Sequence, residues 1–380
     1  MSVRRAVASV NVAAIERNCL RLRSELGEGV ALCAVVKADG YGHGAVQSAQ
    51  AALAAGAGWL AVASAEEARE LRDAGLRCSA GAEPRVLVMG ALTSAELEQA
   101  LAVRADVVVW SERGVAGVAG AGGGRVHVKL DSGMGRLGTR DFAEAARVVE
   151  AVGNAANVEL AGAMTHFATA DEPHDGGFFV GQLERFAGWA GALKRLHPQL
   201  VLHAANSAAV LRDGAAHFDM VRCGIAVYGM DPFGEDPTAR ALEPALELSS
   251  YVAEVKPCRS GESAGYGRRF VAEADTHLGV LPIGYGDGWR RGLSNNADVL
   301  IGGLRRSLVG TVSMDNITVE LGAEGSAESL RGEAAVLIGS QGRERITAEE
   351  VARRLDTINY EVTCALSGRV PRIYHRDGQA

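Results

Sequence analysis

A lysine stands near the end of an apolar run early in the chain, in the segment AVVKADGYGHG from Ala34 to Gly44. An ammonium group withdrawn from water loses its proton more readily, and the neutral amine can form an imine with an aldehyde. The glycines that follow allow the backbone to pass close to a ligand, so Tyr41 can turn back towards it. Lys37 is therefore a candidate for covalent chemistry.

Other polar residues stand at or just after the ends of later apolar runs: Lys129, Arg136, His166, Asn206, Ser207, Arg222 and Gly224. Each alone is weak evidence, because a lone lysine at a strand end is usually a surface residue and a lone histidine usually structural. If the runs are parallel strands of one barrel, however, their carboxyl ends share one rim, where the active sites of such barrels form.

Eight short apolar runs alternate with amphipathic, helix-like segments over the first part of the chain. The predicted strands are Ala31–Ala38, Trp59–Ser64, Arg85–Gly90, Asp106–Trp110, Arg125–Asp131, Val158–Phe167, Leu200–Asn206 and Phe218–Gly224. Capping-box patterns at Ser64–Glu67 and Thr93–Glu96 predict two of the helix starts. Eight strand–helix units in roughly 250 residues indicate a (β/α)8 TIM-type barrel.

The alternative is an open doubly wound sheet. Its usual sign is G-x-G-x-x-G after the first strand, but Gly40, Gly42 and Gly44 have a different spacing. After a Pro- and Gly-rich linker, Met230–Pro244, short alternating runs punctuated by glycines predict a mostly-β C-terminal domain with one helix at Thr347–Asp356. The expected domains are residues 1–239, the barrel, and 240–380, the β domain.

Composition narrows the classes of function. The chain has 380 residues and a formal net charge of -7 with no basic block, which disfavours nucleic-acid binding. No apolar stretch approaches the roughly 20 residues of a membrane helix. The six cysteines are scattered and are expected to be reduced thiols. The first residues do not resemble a signal peptide, so a cytoplasmic enzyme is expected, and no metal site is predicted.

The polar set at the predicted rim suggests a cofactor. Ser207, Gly224 and Ile225 offer a hydroxyl and backbone N–H groups after the seventh and eighth strands, the usual phosphate position in such barrels. A phosphate site and an aldehyde-binding lysine at Lys37 together indicate pyridoxal 5'-phosphate.

The segment around Lys37 closely resembles the pyridoxal-phosphate attachment motif of alanine racemases. Further blocks resemble the same family, in family order across nearly the whole chain: VKLDSGMGRLG (128–138), THFATAD (165–171), HAANSAA (203–209), VRCGIAVYG (221–229), AGYGRRF (264–270), PIGYGDGWRR (282–291), GTVSMDN (310–316) and TINYEVTCALSGRVPRIY (357–374). The match is specific because no single motif carries it.

The resemblance implies two acid/base groups. Lys37 would hold the cofactor as an aldimine and act on one face of the substrate, and Tyr266 of a partner subunit would act on the other. Arg222 would face the pyridine nitrogen, with His166 between it and the tyrosine.

The resemblance also implies binding roles. Arg136 and the Met314 backbone would position the substrate carboxylate. The cofactor would be held by Tyr41, Asn206, Ser207, Gly224, Ile225 and Tyr360. Tyr285, and again Tyr360, would line the entrance. Lys129 resembles a lysine that many members carry as a carbamate, which would orient Arg136.

The residue at the pyridine nitrogen bears on the type of reaction. An arginine stays charged and would keep the nitrogen neutral, whereas many pyridoxal enzymes place a carboxylate there. A neutral ring delocalises a carbanion less, so prompt reprotonation at Cα is favoured over transamination.

The resemblance thus implies a homodimeric alanine racemase that interconverts L- and D-alanine and supplies D-alanine for peptidoglycan. Two alternatives remain open. A non-catalytic pyridoxal-phosphate carrier would not need the C-terminal domain, and a related decarboxylase should present a carboxylate instead of Arg222. Serine remains a possible substrate beside alanine, since a small pocket rejects one added hydroxyl weakly.

Overall fold

The computed structural model describes residues 4–323 and 327–379, which form two compact units. One unit is Ile15–Val227, and the other joins the residues up to Ala14 to the segment from Tyr228 onward. The sequence analysis places a domain boundary between residues 239 and 240, and that boundary stays a prediction.

The first unit contains a closed barrel of eight parallel strands. The strands are Ala31–Val35, Trp59–Val62, Arg85–Val88, Asp106–Val109, Gly124–Lys129, Val158–Met164, Val201–His203 and Met220–Cys223. Each lies within or overlaps one of the eight predicted strands, and the first pairs with the last to close the ring. Strands buried on both faces read as continuous apolar runs, which explains why the sequence pattern located them. The TIM-type barrel is therefore confirmed.

One helix precedes the first barrel strand, and further helices follow the strands around the barrel. Their bounds are Val12–Arg23, Ala45–Ala54, Ala65–Asp73, Ser94–Ala102, Glu112–Gly120, Phe142–Asn154, Phe178–Leu196 and Ser207–Arg212. Both predicted capping boxes are present: the Ser64 hydroxyl accepts from the Glu67 N–H, and the Thr93 hydroxyl accepts from the Glu96 N–H. Each cap satisfies a donor that the helix itself leaves without a partner.

The second unit is mostly β, as predicted. Its largest sheet has the order Leu304–Ser307, Asp298–Ile301, Ala334–Gln341, Leu246–Tyr251, Val7–Asn11 and Arg372–His375, with Glu344–Ile346 paired to Ala334–Gln341. A three-stranded sheet joins Glu254–Cys258, Thr276–Leu281 and Ile317–Gly322, and a short ribbon joins Ser263–Ala264 and Phe270–Val271. Two helices, Ala348–Arg354 and Asn359–Cys364, follow one another near the end. The first lies within the predicted segment Thr347–Asp356.

The N-terminal strand was not predicted. Val7–Asn11 pairs antiparallel with Leu246–Tyr251 and parallel with Arg372–His375, so the start of the chain completes a sheet built from its far end. Among the helices of the described ranges, none combines the length and apolar character needed to cross a bilayer.

Candidate active site

Lys37 lies two residues after the end of the first barrel strand and opens an uncommon backbone turn. Ala38, Asp39 and Tyr41 have φ of 53°, 51° and 53°, and Gly40 between them has φ of 59°. A left-handed turn of this kind costs roughly 1–2 kcal/mol for each residue with a Cβ atom. Strain of this size persists only where surrounding contacts over-determine the backbone.

Two carboxylates supply such contacts. Glu67 accepts a 2.7 Å hydrogen bond from the Ala38 N–H with one oxygen and a 2.7 Å bond from the Ala63 N–H with the other. Asp39 accepts from the Ala45 N–H at 2.9 Å, which ties the turn to the next helix. The cap of one helix therefore also holds the backbone beside Lys37.

Arg222, in the last barrel strand, is 3 % exposed. Its guanidinium donates to the carbonyls of Thr165 at 2.8 Å and Ala204 at 3.0 Å. It also lies 2.8 Å from His203 Nδ1 and 3.2 Å from His166 Nδ1. Burial lowers the pKa of Arg222 to about 10, so the group is a cation at neutral pH, and its two terminal nitrogens contact these four acceptors.

His166 is neutral in this setting. Burial, followed by the charges of Arg222 and Arg136, lowers its pKa well below the usual range. The 3.2 Å contact presents an arginine donor to Nδ1, so Nδ1 must accept and the proton resides on Nε2. The imidazole thus offers an N–H donor on the side away from Arg222.

Lys129 ends the fifth strand and is 5 % exposed. Burial and the charges of Arg222 and Arg136 lower its pKa to about 8, and Lys37 adds to the same effect. Four cationic side chains and His166 therefore lie within electrostatic reach of one another at one end of the barrel. The carboxylate of Asp131 offsets part of this charge, and an anion bound among the cations would stabilise the cluster further.

The segment that carries Arg136 is shaped by Asp131. That carboxylate accepts from the N–H groups of Gly133 and Gly135 at 3.0 and 2.9 Å and from Arg140 Nε at 3.0 Å. Burial alone would raise the pKa of Asp131, but these hydrogen bonds outweigh it and the pKa lies below the usual range. Arg136 itself is exposed. It lies next to Gly135 on a turn that the hydrogen bonds to Asp131 hold in place.

Tyr41, Ser207 and Gly224 lie together. Ser207 Oγ accepts from the Gly224 N–H at 3.0 Å and from the Ala226 N–H at 3.4 Å. A Cβ atom at residue 224 would stand 2.4 Å from the Tyr41 hydroxyl oxygen, so a side chain here would displace the Tyr41 ring. Asn206 instead caps the following helix through the Ala209 N–H. Ile225 directly follows Gly224 and is fully buried.

The remaining predicted residues belong to the β unit. Tyr266, Tyr285 and Met314 are 73 %, 43 % and 52 % exposed. Thr311 Oγ1 donates to the Tyr266 carbonyl at 2.7 Å, and two residues on, the Ser313 carbonyl accepts from the Tyr285 N–H at 3.0 Å. One short segment thus carries Met314 and contacts both tyrosine-bearing loops.

Tyr360 lies on the helix Asn359–Cys364. Asn359 fixes the start of that helix by donating to the Asp231 carbonyl at 2.8 Å and to Glu349 Oε1 at 3.0 Å. The Tyr360 side chain is half-buried.

Sequence reasoning did not assign roles to three buried residues, Asp106, His127 and His203, that connect to Arg222. The sequence feature that could have identified them is a polar residue inside an otherwise apolar strand, as in RVHVK and VLHAA.

Comparison with known proteins identifies the family. The alanine racemase N-terminal domain matches residues 10–232, and the alanine racemase C-terminal domain matches residues 245–374. The chain belongs to the alanine racemase family. It is therefore an enzyme of the racemase class, as the resemblance implied.

Individual relatives agree over nearly their full length. The alanine racemase of Halalkalibacterium halodurans is 41% identical over 379 residues, covering 97% of this chain and 95% of the relative. Alanine racemase 1 of Bacillus subtilis is 40% identical, covering 98% and 93%. The crystal structure of alanine racemase from E. faecalis matches with a TM-score of 0.89 at 36% identity, covering 99% of this chain and all of that one. The Bacillus anthracis enzyme with bound L-Ala-P matches with a TM-score of 0.89 at 35% identity, covering 100% and 97%.

The neutral state of three histidines of the barrel, the buried His127 and His203 and the half-buried His166, predicts how stability depends on pH. Burial lowers the pKa of His127, and lowers those of His166 and His203 further. In the unfolded chain each returns to about 6.5. The contribution of the neutral forms is therefore complete above about pH 6.5, and below it the unfolded chain binds more protons, so stability falls at up to ~1.4 kcal/mol per pH unit for each histidine.

Urea unfolding between pH 8 and pH 5 measures this slope. The variant His203→Gln removes one titrating group and should flatten the dependence by about one proton. A free energy of unfolding that stays constant from pH 7 to pH 5 would contradict the neutral assignment.

Proposed function

We propose that this protein interconverts L-alanine and D-alanine with pyridoxal 5'-phosphate as cofactor. The observation that carries the proposal is the grouping of Lys37, Lys129, Arg136 and Arg222 within electrostatic reach of one another at one end of the barrel. The cofactor phosphate and the substrate carboxylate are anions of the kind that would stabilise this cluster. The family relationship supports the same substrate.

The residues present fit the cofactor. The Tyr41 hydroxyl lies beside Gly224, where any side chain would fill the space, and Ser207 lies at the same place. These three, with Asn206, Ile225 and Tyr360, would hold the phosphate end. Lys37 would hold the cofactor covalently, and Arg222 would face its ring nitrogen. When bound, pyridoxal phosphate supplies an electron sink that acidifies the Cα–H bond of an attached amino acid.

The chain's own groups then divide the work of proton transfer. Once the amino group of the substrate had replaced Lys37 on the cofactor, the freed Lys37 Nζ would remove or return a proton at Cα on one face, and Tyr266 of a partner subunit would do so on the other. The surrounding cations favour the neutral amine of Lys37, which is the form that acts as a base. His166 Nε2–H offers a donor to the side-chain oxygen of Tyr266.

Arg136 and the Met314 backbone bind the substrate carboxylate and hold it in place, which disfavours its loss as carbon dioxide. The charge on Arg222 would keep the ring nitrogen of the cofactor unprotonated, which would favour return of the proton to Cα over transamination. A decarboxylase would need a carboxylate in place of Arg222, and a carrier would need neither Tyr266 nor Met314. Tyr285 and Tyr360 narrow the entrance in favour of a small amino acid.

The proposal also includes a homodimer in the cytoplasm that provides D-alanine for peptidoglycan. Tyr266, Tyr285 and Met314 are large, exposed side chains on connected segments of the β unit. Exposed residues of this type that are needed for catalysis are suited to completing the site of a second subunit.

Borohydride reduction tests the covalent site. Purified protein with pyridoxal phosphate should lose its visible absorbance band on reduction and retain one cofactor per chain on the Lys37 peptide. Digestion and mass spectrometry can locate it directly, because the chain has only the lysines Lys37, Lys129, Lys194 and Lys256. Lys37→Ala should abolish both the labelling and alanine racemisation. Label on Lys129 instead, or an active Lys37→Ala, would contradict the assignment.

Mixing two inactive variants tests the shared site. Lys37→Ala chains and Tyr266→Phe chains, refolded together at equal concentration, should regain about a quarter of wild-type activity, because half of the dimers are mixed and each mixed dimer has one intact site. Each variant refolded alone provides the control. Mixed dimers that form, as seen by mass, and stay inactive would show that Lys37 and Tyr266 act within one chain.

Lys129 should carry a carbamate. With a pKa of about 8, a usable fraction of the amine is neutral near physiological pH and can attack carbon dioxide, releasing a proton and replacing a cation by an anion between Arg222 and Arg136. Protein equilibrated with 13C-bicarbonate should give one carbamate carbon signal by NMR. That signal should vanish in Lys129→Gln and persist in Lys194→Gln. A signal that survives Lys129→Gln would place the modification elsewhere.

A further inference from the structure

Four polar side chains inside the barrel unit form a continuous line of hydrogen bonds. Asp106 Oδ2 lies 3.1 Å from His127 Nε2, and His127 Nδ1 lies 2.7 Å from His203 Nε2. His203 Nδ1 in turn lies 2.8 Å from the NH1 nitrogen of Arg222. Asp106, His127 and His203 have no exposed surface, and Arg222 is 3 % exposed. The line is therefore shielded from water along its whole length.

The line runs from one end of the barrel to the other. Asp106 is the first residue of its strand, whereas the candidate active site is built from residues at and beyond the opposite strand ends. Arg85, at the start of the neighbouring strand, pairs with Asp106, and Arg125 Nε donates to it at 2.7 Å. An anion fixed by two arginines thus anchors the end remote from the chemistry.

The charges at the two ends set the direction of every bond between them. Burial alone would raise the pKa of Asp106, but the hydrogen bond from His127 and the charge of Arg85 outweigh it, so Asp106 is ionised and only accepts. A guanidinium only donates. Both histidines must therefore carry a proton on Nε2 and accept at Nδ1, since any other arrangement sets two donors or two acceptors against each other.

We propose that Asp106, His127 and His203 are positioning residues for Arg222: this directional line of hydrogen bonds fixes the orientation of the guanidinium from the far end of the barrel. This inference rests on the proposed function, in which Arg222 faces the ring nitrogen of the cofactor. Its consequence is that the contact between Arg222 and the cofactor ring depends on residues that touch neither cofactor nor substrate.

If Asp106, His127 and His203 had a purely structural role, their replacement would have different effects. Buried polar side chains that only fill the core would affect stability when replaced, and would leave the rate and outcome of the reaction unchanged. Positioning residues should instead affect kcat and the proportion of side reaction, because a displaced Arg222 no longer keeps the ring nitrogen unprotonated.

A matched pair of variants at His203 separates the two roles. His203→Gln keeps a donor for His127 and an acceptor for Arg222, whereas His203→Leu removes both at similar volume. We expect kcat of His203→Leu to fall about tenfold or more with KM for alanine changed less than about threefold, and His203→Gln to stay within about threefold of wild type. Pyruvate formed by transamination, per racemisation event, should rise in His203→Leu only.

His217→Leu is the control for lost stability. His217 is also buried and its Nε2 lies 3.1 Å from the Val210 carbonyl, outside the line. This variant should lower the melting temperature while leaving kcat and pyruvate formation at wild-type values. If His203→Leu behaves in the same way as His217→Leu, or if His203→Gln is as impaired as His203→Leu, the positioning role is wrong.

NMR of 15N-histidine-labelled protein tests the direction of the line without activity. The signals of His127 and His203, assigned through His127→Gln and His203→Gln, should both report a proton on Nε2 and none on Nδ1. A proton on Nδ1 of either residue overturns the proposal even if a variant fails to fold. Failure of the wild type to racemise alanine would refute the proposed function instead. The tautomers of His127 and His203 would still show whether the hydrogen bonds run in the proposed direction.

Discussion

The barrel has to keep one guanidinium out of water, and most of the candidate site follows from that requirement. A buried charge is tolerated only when its donors all find acceptors. The terminal nitrogens of Arg222 find acceptors in the Thr165 and Ala204 carbonyls and in His203 and His166. Two of the four are imidazoles that must stay neutral to accept, so the same contacts fix the protonation of the groups around the site.

The sequence predicted the elements that depend on local pattern. All eight barrel strands were located because parallel strands covered on both faces are uniformly apolar, and both capping boxes because the two partners lie three residues apart. The strand Val7–Asn11 was missed because its partners, Leu246–Tyr251 and Arg372–His375, lie more than two hundred residues away. Nothing in its short alternating pattern specifies which distant edge it will join.

The same distinction applies within the site. Cations at strand ends were predicted, because the topology brings such ends to one rim. No role was predicted for His127 and His203, because their hydrogen bond joins positions 76 apart in sequence and forms only when the barrel closes. The left-handed turn after Lys37 was also not predicted. Its glycines suggested a loose backbone, whereas Ala38, Asp39 and Tyr41 adopt the strained conformation as well.

The left-handed turn after Lys37 is strained, and yet it holds the lysine in a defined position. Three residues with a Cβ atom in left-handed conformation cost roughly 3–6 kcal/mol together, a large fraction of the stability of a typical domain. Glu67 offsets part of this cost by accepting from the Ala38 N–H of the turn, and Asp39 by accepting from the Ala45 N–H at the start of the next helix. Because the turn is held from two helices, it has few alternative conformations. Lys37 therefore starts from a fixed backbone, and Tyr41 is brought back beside Gly224 by the same turn.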